Sequence, residues 1–457
     1  MHENAPKSLL SREIAALATL ILIGVAIRAQ HLTSPFYYDE AVYVNLAQHP
    51  FHSDFYPDRI FFRHPPAHYL LLAGWGAIVG YSEIVMRFPS LLFAGATIIL
   101  TYFLGRRLLS RTSAMIATVL LTFNVLHQQY AQAATMYAML TFFMTLCVYG
   151  LVSGNARLIT IGFLSAIYTH YFGFYLAPSL LFFYYRRHDR NWKKIAGKMA
   201  LYLAAYSPWI IIALQGLEFH ANRTSGLRWW DFQWLNMLRQ LSVAVLGGSI
   251  YFLFVHRRQK ALQPAILLCG LFLLSAFFLI PFQRYLVPFL PILIVLGVAG
   301  LAELFKRVSS RLQIQSKPGR AAIAAVVLFG LCMPNIEAYG IYPALGRYLD
   351  WRDAIHAQEW NRVVAAIPAG RVATPNARSL LFYSNLQNVR QYHVEQFNEN
   401  KKEFAALVAR VENDWIVLPK YPLYDALIQI AVNSNRYRRF AELDYTIIYR
   451  KNNGETM

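Results

Sequence analysis

Long apolar runs alternate with short basic knots from the N-terminus to about residue 342. A helix needs about 20 mostly apolar residues to cross a bilayer. The first run, Ile14–Ile27, and the stretch FPSLLFAGATIILTYFLG after Arg87 both approach that length. Further crossings are predicted near 112–128, 132–152, 156–170, 172–186, 196–215, 236–255, 262–280, 283–304 and 320–338. The total is about eleven transmembrane helices, rising to about 13 if the short, poorly separated runs around His170 are divided differently.

Basic knots fix the sense of each crossing, because short loops rich in Lys and Arg stay cytoplasmic. The knots are Arg106, Arg107 and Arg111; Arg186, Arg187, Arg190, Lys193 and Lys194; Arg257, Arg258 and Lys260; and Lys306, Arg307, Arg311, Lys317 and Arg320. With a cytoplasmic N-terminus, the first helix exits near Arg28 and residues 31–86 form the first external loop. The helix after Arg87 must then run inward to reach Arg106. The apolar piece Ala67–Val79 cannot cross without putting that knot on the wrong side, so it is predicted to lie at, or dip into, the outer interface. An odd number of crossings leaves the C-terminal tail outside.

The pattern changes from residue 343. WRDAIHAQEWNRVVAAI reads as an amphipathic helix ending near Pro368, WIVL (Trp415 to Leu418) as a buried strand, and YTIIYR as another. The fold class expected is therefore a polytopic α-helical membrane domain over 1–342, followed by a small extracytoplasmic α/β domain over 343–457.

Composition supports a bilayer as solvent. Of 457 residues 56% are hydrophobic and only 15% charged, whereas soluble domains carry about a quarter. The net charge is +19, from 43 Lys+Arg against 24 Asp+Glu. Such an excess suits nucleic acid, anionic lipid or topology signals, and its confinement to loop knots assigns it to topology, with no nucleic-acid partner. Cys147, Cys269 and Cys332 sit inside apolar runs without metal or disulfide spacing. No small-residue cleavage site follows the first run at Gln30-His31, so it reads as a retained anchor.

Candidate chemistry gathers on the external side. FYYDEAVYV sets Asp39 and Glu40 beside Tyr38 and other aromatic residues. Two readings are open: a solvated acidic loop, or carboxylates partly desolvated by aromatic walls and suited to general-base work or cation binding. In FFRHPPAHYLLLAGW two prolines pin the backbone just after Arg63 and His64. Both side chains suit a phosphate, while the alternative has Arg63 snorkelling to headgroups and His64 capping a helix. YTHYFGFY places His170 and Tyr171 at the outer end of a crossing, as interior packing or as a pocket wall. Arg284 and Tyr285 open a late crossing in PFQRYLVPFLP, either as a headgroup anchor or as part of the same external site. Trp229 and Trp230, in the external loop GLEFHANRTSGLRWWDFQW, could stack on a sugar or anchor the interface.

The ordered series YYDEAVY, RHPPAHYLLL, SEIVMRFPSLLFA, YAQAATMYAML, THYFGFYL, YSPWIIIALQ and QRYLVPFLPILIVLGVAGL resembles the GT-C polyprenyl-phosphate-sugar glycosyltransferases. Within that superfamily it is most similar to the protein O-mannosyltransferase-like family 39 enzymes and the lipid A aminoarabinose transferases. The resemblance runs from Tyr37 to Leu301, with a weaker echo in DWRDAI.

This resemblance implies transfer of a sugar from a polyprenyl-phosphate donor to an extracytoplasmic glycan, lipid or protein acceptor. It implies a multi-pass protein of a prokaryotic cytoplasmic membrane, working among membrane lipids with its site on the outer face. The family's catalytic aspartate falls on Asp39, with Glu40 beside it. The basic residue before the double proline, which contacts the lipid-linked phosphate, falls on His64, helped by Arg63. The Arg-Tyr pair lining the lipid pocket falls on Arg284 and Tyr285. Tyr38, Tyr137, His170, Tyr171 and Trp230 are the candidate substrate pocket. Relatives often carry a SQEARMY-like motif where this chain has AQAATMY, Ala131 to Tyr137. The alanines and Thr135 cannot supply the missing acid and arginine. A divalent metal, for which Glu40 is the remaining candidate ligand, is therefore in question, and Arg63, His64 and Arg284 would neutralise the phosphate alone.

Elementary chemistry agrees with that division. A sugar already bonded to phosphate has a good leaving group, so the reaction needs one base for the acceptor proton and positive charge for the departing phosphate. Direct displacement by a single base inverts the anomeric centre. A transporter or flippase of lipid-linked sugar is the main alternative, but it should carry charges along a path through its crossings, and here they gather at one face. A ligand sensor would explain the tail but leave the Asp-Glu and His-Pro-Pro constellation unused.

Overall fold

The computed structural model describes residues 7–29, 32–36, 38–48, 64–187, 191–214, 243–256, 263–276, 283–311, 360–375, 380, 383–384, 392–396, 401–420, 424–444 and 446–452. The expected crossing at 320–338, Arg63, the loop bearing Trp229 and Trp230, and the first half of the tail's amphipathic helix lie outside the described residues.

The helical part begins with α1 (Lys7–Arg28), α2 (Tyr38–Gln48), α3 (Ala67–Val79), α4 (Glu83–Leu108), α5 (Arg111–Thr122), α6 (Val125–Ala131), α7 (Tyr137–Ser153) and α8 (Ala156–Thr169). After a 3-10 segment, Tyr171–Leu176, come α9 (Ala177–Arg187), α10 (Trp192–Leu214), α11 (Val243–Val255) and α12 (Gln263–Ala276). A second 3-10 segment, Gln283–Phe289, leads into α13 (Leu290–Arg311). Among the described residues, Glu83–Leu108 and Arg284–Arg311 are long and apolar enough to cross a membrane, and several shorter apolar helices accompany them.

Local chemistry explains how these elements are set. Pro89 sits inside α4 and has no N–H to offer the carbonyl four residues back. That carbonyl, on Val85, instead accepts the indole N–H of Trp75 at 2.8 Å, which ties α3 to α4. At the end of α1, Arg28 is fully buried. Its guanidinium donates to Gly24 O at 3.0 Å and to the last carbonyls of α5, Thr122 O at 2.9 Å and Leu121 O at 3.3 Å, and it meets His127 Nδ1 at 2.8 Å. Cations suit a helix C-terminus, where the carbonyls lack backbone donors. The residue expected to mark the first helix's exit thus staples α1 to α5 and α6. Further on, a Cβ on Gly300 would run into the carbonyl of Gly248, and one on Gly297 into that of Val245. These glycines let α11 and α13 pack backbone to backbone, as small residues do between helices in membranes.

Two predicted crossings are broken differently. The expected helix at 112–128 is interrupted where Asn124 caps α6 by accepting His127 N–H at 2.9 Å, and the one expected at 132–152 starts only at Tyr137 because residues 132–136 form a turn. The break near His170 is real: its backbone is extended, and its Nδ1 accepts Phe172 N–H at 3.0 Å to start the 3-10 segment.

In the tail, α14 (Trp360–Ala366) is followed by β1 (Gly370–Thr374), β2 (Tyr392–Gln396), α15 (Lys401–Arg410), β3 (Trp415–Pro419), α16 (Asp425–Asn433), β4 (Tyr437–Glu442) and β5 (Thr446–Lys451). They build a five-stranded sheet in the order β2-β1-β3-β5-β4. β1 pairs parallel with β2 and β3, while β5 runs antiparallel to β3 and β4. WIVL and YTIIYR are β3 and β5, as their sequence pattern predicts. Because strand side chains alternate between faces, Ile416, Leu418, Ile447 and Tyr449 pack with Phe404, Leu407 and Leu427 of α15 and α16. Trp415, Val417 and Ile448 join Trp360, Val363, Leu380 and Tyr383 in a core continuous with that of the helical part.

Candidate active site

α2 starts at Tyr38, so Asp39 and Glu40 lie together in its first turn. Side chains a residue apart on a helix point about 100° apart, and these two have opposite fates. Asp39 is 35% exposed, and its Oδ2 accepts from Arg284 Nη1 at 2.5 Å. Arg284, 28% exposed, lies at the start of the 3-10 segment before α13 and has its guanidinium 5.7 Å from the ring centroid of Tyr285.

Glu40 turns inward. Its side chain and that of Arg87 are both fully buried. Arg87 donates Nε to Glu40 Oε1 at 2.8 Å and Nη2 to Oε2 at 2.7 Å, and Ala134 N–H reaches Oε1 at 2.7 Å. The same guanidinium binds Leu32 O at 2.9 Å, Pro35 O at 3.1 Å and Ser34 O. Fork-to-fork pairing with additional carbonyls is the form in which a buried ion pair can offset its desolvation. Both oxygens of Glu40, expected as a catalytic partner or metal ligand, are held by cationic or N–H donors in this structure. Among the described residues no three His, Cys, Asp or Glu side chains converge to hold a metal ion, so the donors around Glu40 do not fit one.

The aromatic residues assemble beside the Asp39–Arg284 pair. His64, at the start of the HPPAH turn, stacks on His170 with ring centroids 4.9 Å apart. Tyr171 lies 6.5 Å from His64, and Tyr43 of α2 lies 6.4 Å from it on ring centroids. Tyr137 and Tyr285 lie 5.9 and 6.4 Å from His170, and 6.4 Å from each other. Phe172 packs edge-on against both His170 and Tyr285, at 4.7 Å each. Because His170 Nδ1 accepts a backbone N–H, the neutral ring carries its proton on Nε2.

The structure thus brings together Asp39, His64, Tyr137, His170, Tyr171, Arg284 and Tyr285 from five separate stretches of chain. Tyr38 is in the first turn of α2, and Arg63 and Trp230 are outside the described residues. Sequence reasoning missed Arg87 and Ala134. An arginine in an apolar helix, one residue before Phe88-Pro89, was the available signal for the first. The second acts through its backbone N–H, which the residue type does not reveal.

The helical part and the small mixed sheet packed on it have counterparts among solved structures. Residues 63–212 match the family model described as dolichyl-phosphate-mannose-protein mannosyltransferase. The fold resembles apo ArnT from Cupriavidus metallidurans at TM-score 0.60 and 15% identity, over 97% of this chain and 98% of that one. It resembles the same protein bound to undecaprenyl phosphate at TM-score 0.54 and 15% identity, over 98% and 99% of the two chains. The oligosaccharyltransferase AglB from Archaeoglobus fulgidus, in complex with an inhibitory peptide and a dolichol-phosphate, matches at TM-score 0.59 and 13% identity, over 95% of this chain and 73% of that one. No curated protein matches the chain in sequence. The chain is thus similar to the mannosyltransferase family model over residues 63–212 and to ArnT and AglB in fold.

Proposed function

We propose that the chain is an integral-membrane glycosyltransferase that moves a sugar from a polyprenyl-phosphate donor to an extracytoplasmic acceptor hydroxyl or phosphate, with inversion. The observation that carries this reading is the Asp39–Arg284 pair set beside His64 and the His170–Tyr137–Tyr285 cluster. It unites a carboxylate base with a phosphate-seeking guanidinium at one partly exposed place.

Without donor, the two charges neutralise each other. An arriving phosphate diester attracts Arg284, whose guanidinium has several donors to offer, and it loosens the hold on Asp39. The acceptor's O–H then gives its proton to the Asp39 carboxylate as its oxygen attacks the anomeric carbon. The anomeric C–O bond to phosphate breaks on the opposite side, and its electron pair leaves on the polyprenyl phosphate. Arg284 stabilises that growing negative charge, the kind of term that dominates such steps, while the imidazole of His64 holds the donor phosphate before and during transfer. Arg63, two prolines before α3, would add a second guanidinium. Tyr285, half-buried, offers an apolar face with a polar edge suited to a sugar ring, and the buried Tyr137 and His170 pack behind it. Glu40 serves as the anchor of α2, and no step runs through a metal.

The proposal places this site on the extracytoplasmic face of a membrane crossed by about eleven helices, with residues 343–457 outside. Replacement of Asp39 by Asn in a protein that still inserts and folds tests it through product formation from a polyprenyl-phosphate sugar.

A further inference from the structure

One tail residue reaches directly into the loop that leads to Asp39. Tyr383 is 1% exposed. Its hydroxyl accepts the N–H of Phe36 at 2.7 Å, across 347 residues of sequence, and donates to Glu83 Oε1 at 2.8 Å. Burial, with the Glu83 carboxylate beside it, holds this phenol above its ordinary range, so it keeps its proton and can fill both roles. Phe36 is itself fully buried, with the Arg87 guanidinium 5.1 Å from its ring centroid.

The two contacts fall on the two halves of the clamp around Glu40. Phe36 ends the described turn whose carbonyls at Leu32, Ser34 and Pro35 bind Arg87. Glu83 opens α4, the helix that carries Arg87. Short-range packing alone would leave the Phe36 N–H to find a partner in this turn, and buried backbone N–H groups are seldom left without one. The partner here comes from the other domain.

We infer that Tyr383 is a positioning residue: through its hydroxyl the tail domain sets the turn before α2 and with it the carboxylate of Asp39. The inference rests on the proposed role of Asp39. It makes the tail a part of the active site's framework, whatever acceptor it meets. Other tail ion pairs, such as Arg362 with Asp444 and Lys420 with Glu442, stay within the tail.

The test uses the full chain in detergent or nanodiscs and reads two quantities. Hydrogen exchange of the Phe36 amide should be slow in the parent and about tenfold faster in Tyr383→Phe, the loss expected for one buried hydrogen bond. In the same variant kcat should fall about tenfold with the donor KM within about twofold, as for lost transition-state positioning. Leu380→Ala disturbs neighbouring tail packing but keeps the hydroxyl, and should leave Phe36 protected and kcat within about threefold of the parent. The inference is overturned if Phe36 in the parent exchanges like an unprotected amide, a result that needs no variant to fold. It is also overturned if Tyr383→Phe changes exchange without changing kcat, changes neither, or if Leu380→Ala matches its loss of kcat. A failure of the proposed base would show separately, as a parental rate in Asp39→Asn with Phe36 exchange unaltered.

Discussion

Arg284 and Asp39 stand 245 residues apart in the chain and meet at 2.5 Å. The pair is only part-buried, which leaves room for a third partner. Replacing Arg284 by Ala is expected to lower the rate of sugar transfer by about a hundred- to a thousandfold, the scale seen when a charge-stabilising donor is removed. Arg284→Lys should retain a point charge but lose the fork, and fall between the two. Steady-state rates with a short-chain polyprenyl-phosphate sugar would check this, and near-parental activity in Arg284→Ala would remove arginine from the mechanism.

Glu40 and Arg87 should behave in the opposite way, as a matter of stability. Removing either partner alone leaves a buried charge, at a cost of about 3–5 kcal/mol. Thermal unfolding in detergent should show a large drop for Arg87→Met and for Glu40→Gln, and a smaller drop for the double variant than the sum of the two. Additive losses would mean that the two side chains do not depend on each other.

His64 is expected to act on donor binding. His64→Ala should raise the donor KM more than it lowers kcat, because it removes both a phosphate donor and the face that stacks on His170 at 4.9 Å. His170→Asn keeps an acceptor for the Phe172 N–H and should preserve folding, whereas His170→Leu loses that cap at about 1 kcal/mol. Kinetics and unfolding of the two variants, compared side by side, would separate these roles.

Prior chelation of divalent metals should leave transfer activity unchanged, since Glu40 is already engaged by Arg87 and Ala134. Loss of activity on chelation, restored by adding back one metal, would contradict the clamp reading of Glu40.

Many of the apolar helices and the strands β3 and β5 were legible in the sequence because burial leaves a period, whereas α2, β1, β2 and β4 were not anticipated. WIVL is buried along its whole length, and the basic knots cap apolar runs much as the helix ends do. Candidate site residues were legible where side-chain type carries the chemistry, as in Asp39, His64 and Arg284. Their meeting was legible only through topology, which brings loops to one face without giving a distance. What stayed hidden depends on the backbone or on long-range pairing. Ala134 contributes an N–H, Val85 a carbonyl freed by Pro89, and Tyr383 a hydroxyl delivered from the other domain. Glu40 looked equivalent to Asp39 in sequence because adjacency says nothing about which of two neighbours on a helix faces the interior. Once Arg87 is placed, the step of about 100° between neighbours on α2 separates the anchor Glu40 from the proposed base Asp39.

The most direct measurement is the rate of sugar transfer by Asp39→Asn, in protein whose insertion and thermal unfolding match the parent. Asn keeps the size of Asp39 and can still meet Arg284, but it cannot take the acceptor's proton. The account predicts a loss of about a hundred- to ten-thousandfold, the range for a general base. Transfer at the parental rate would contradict it.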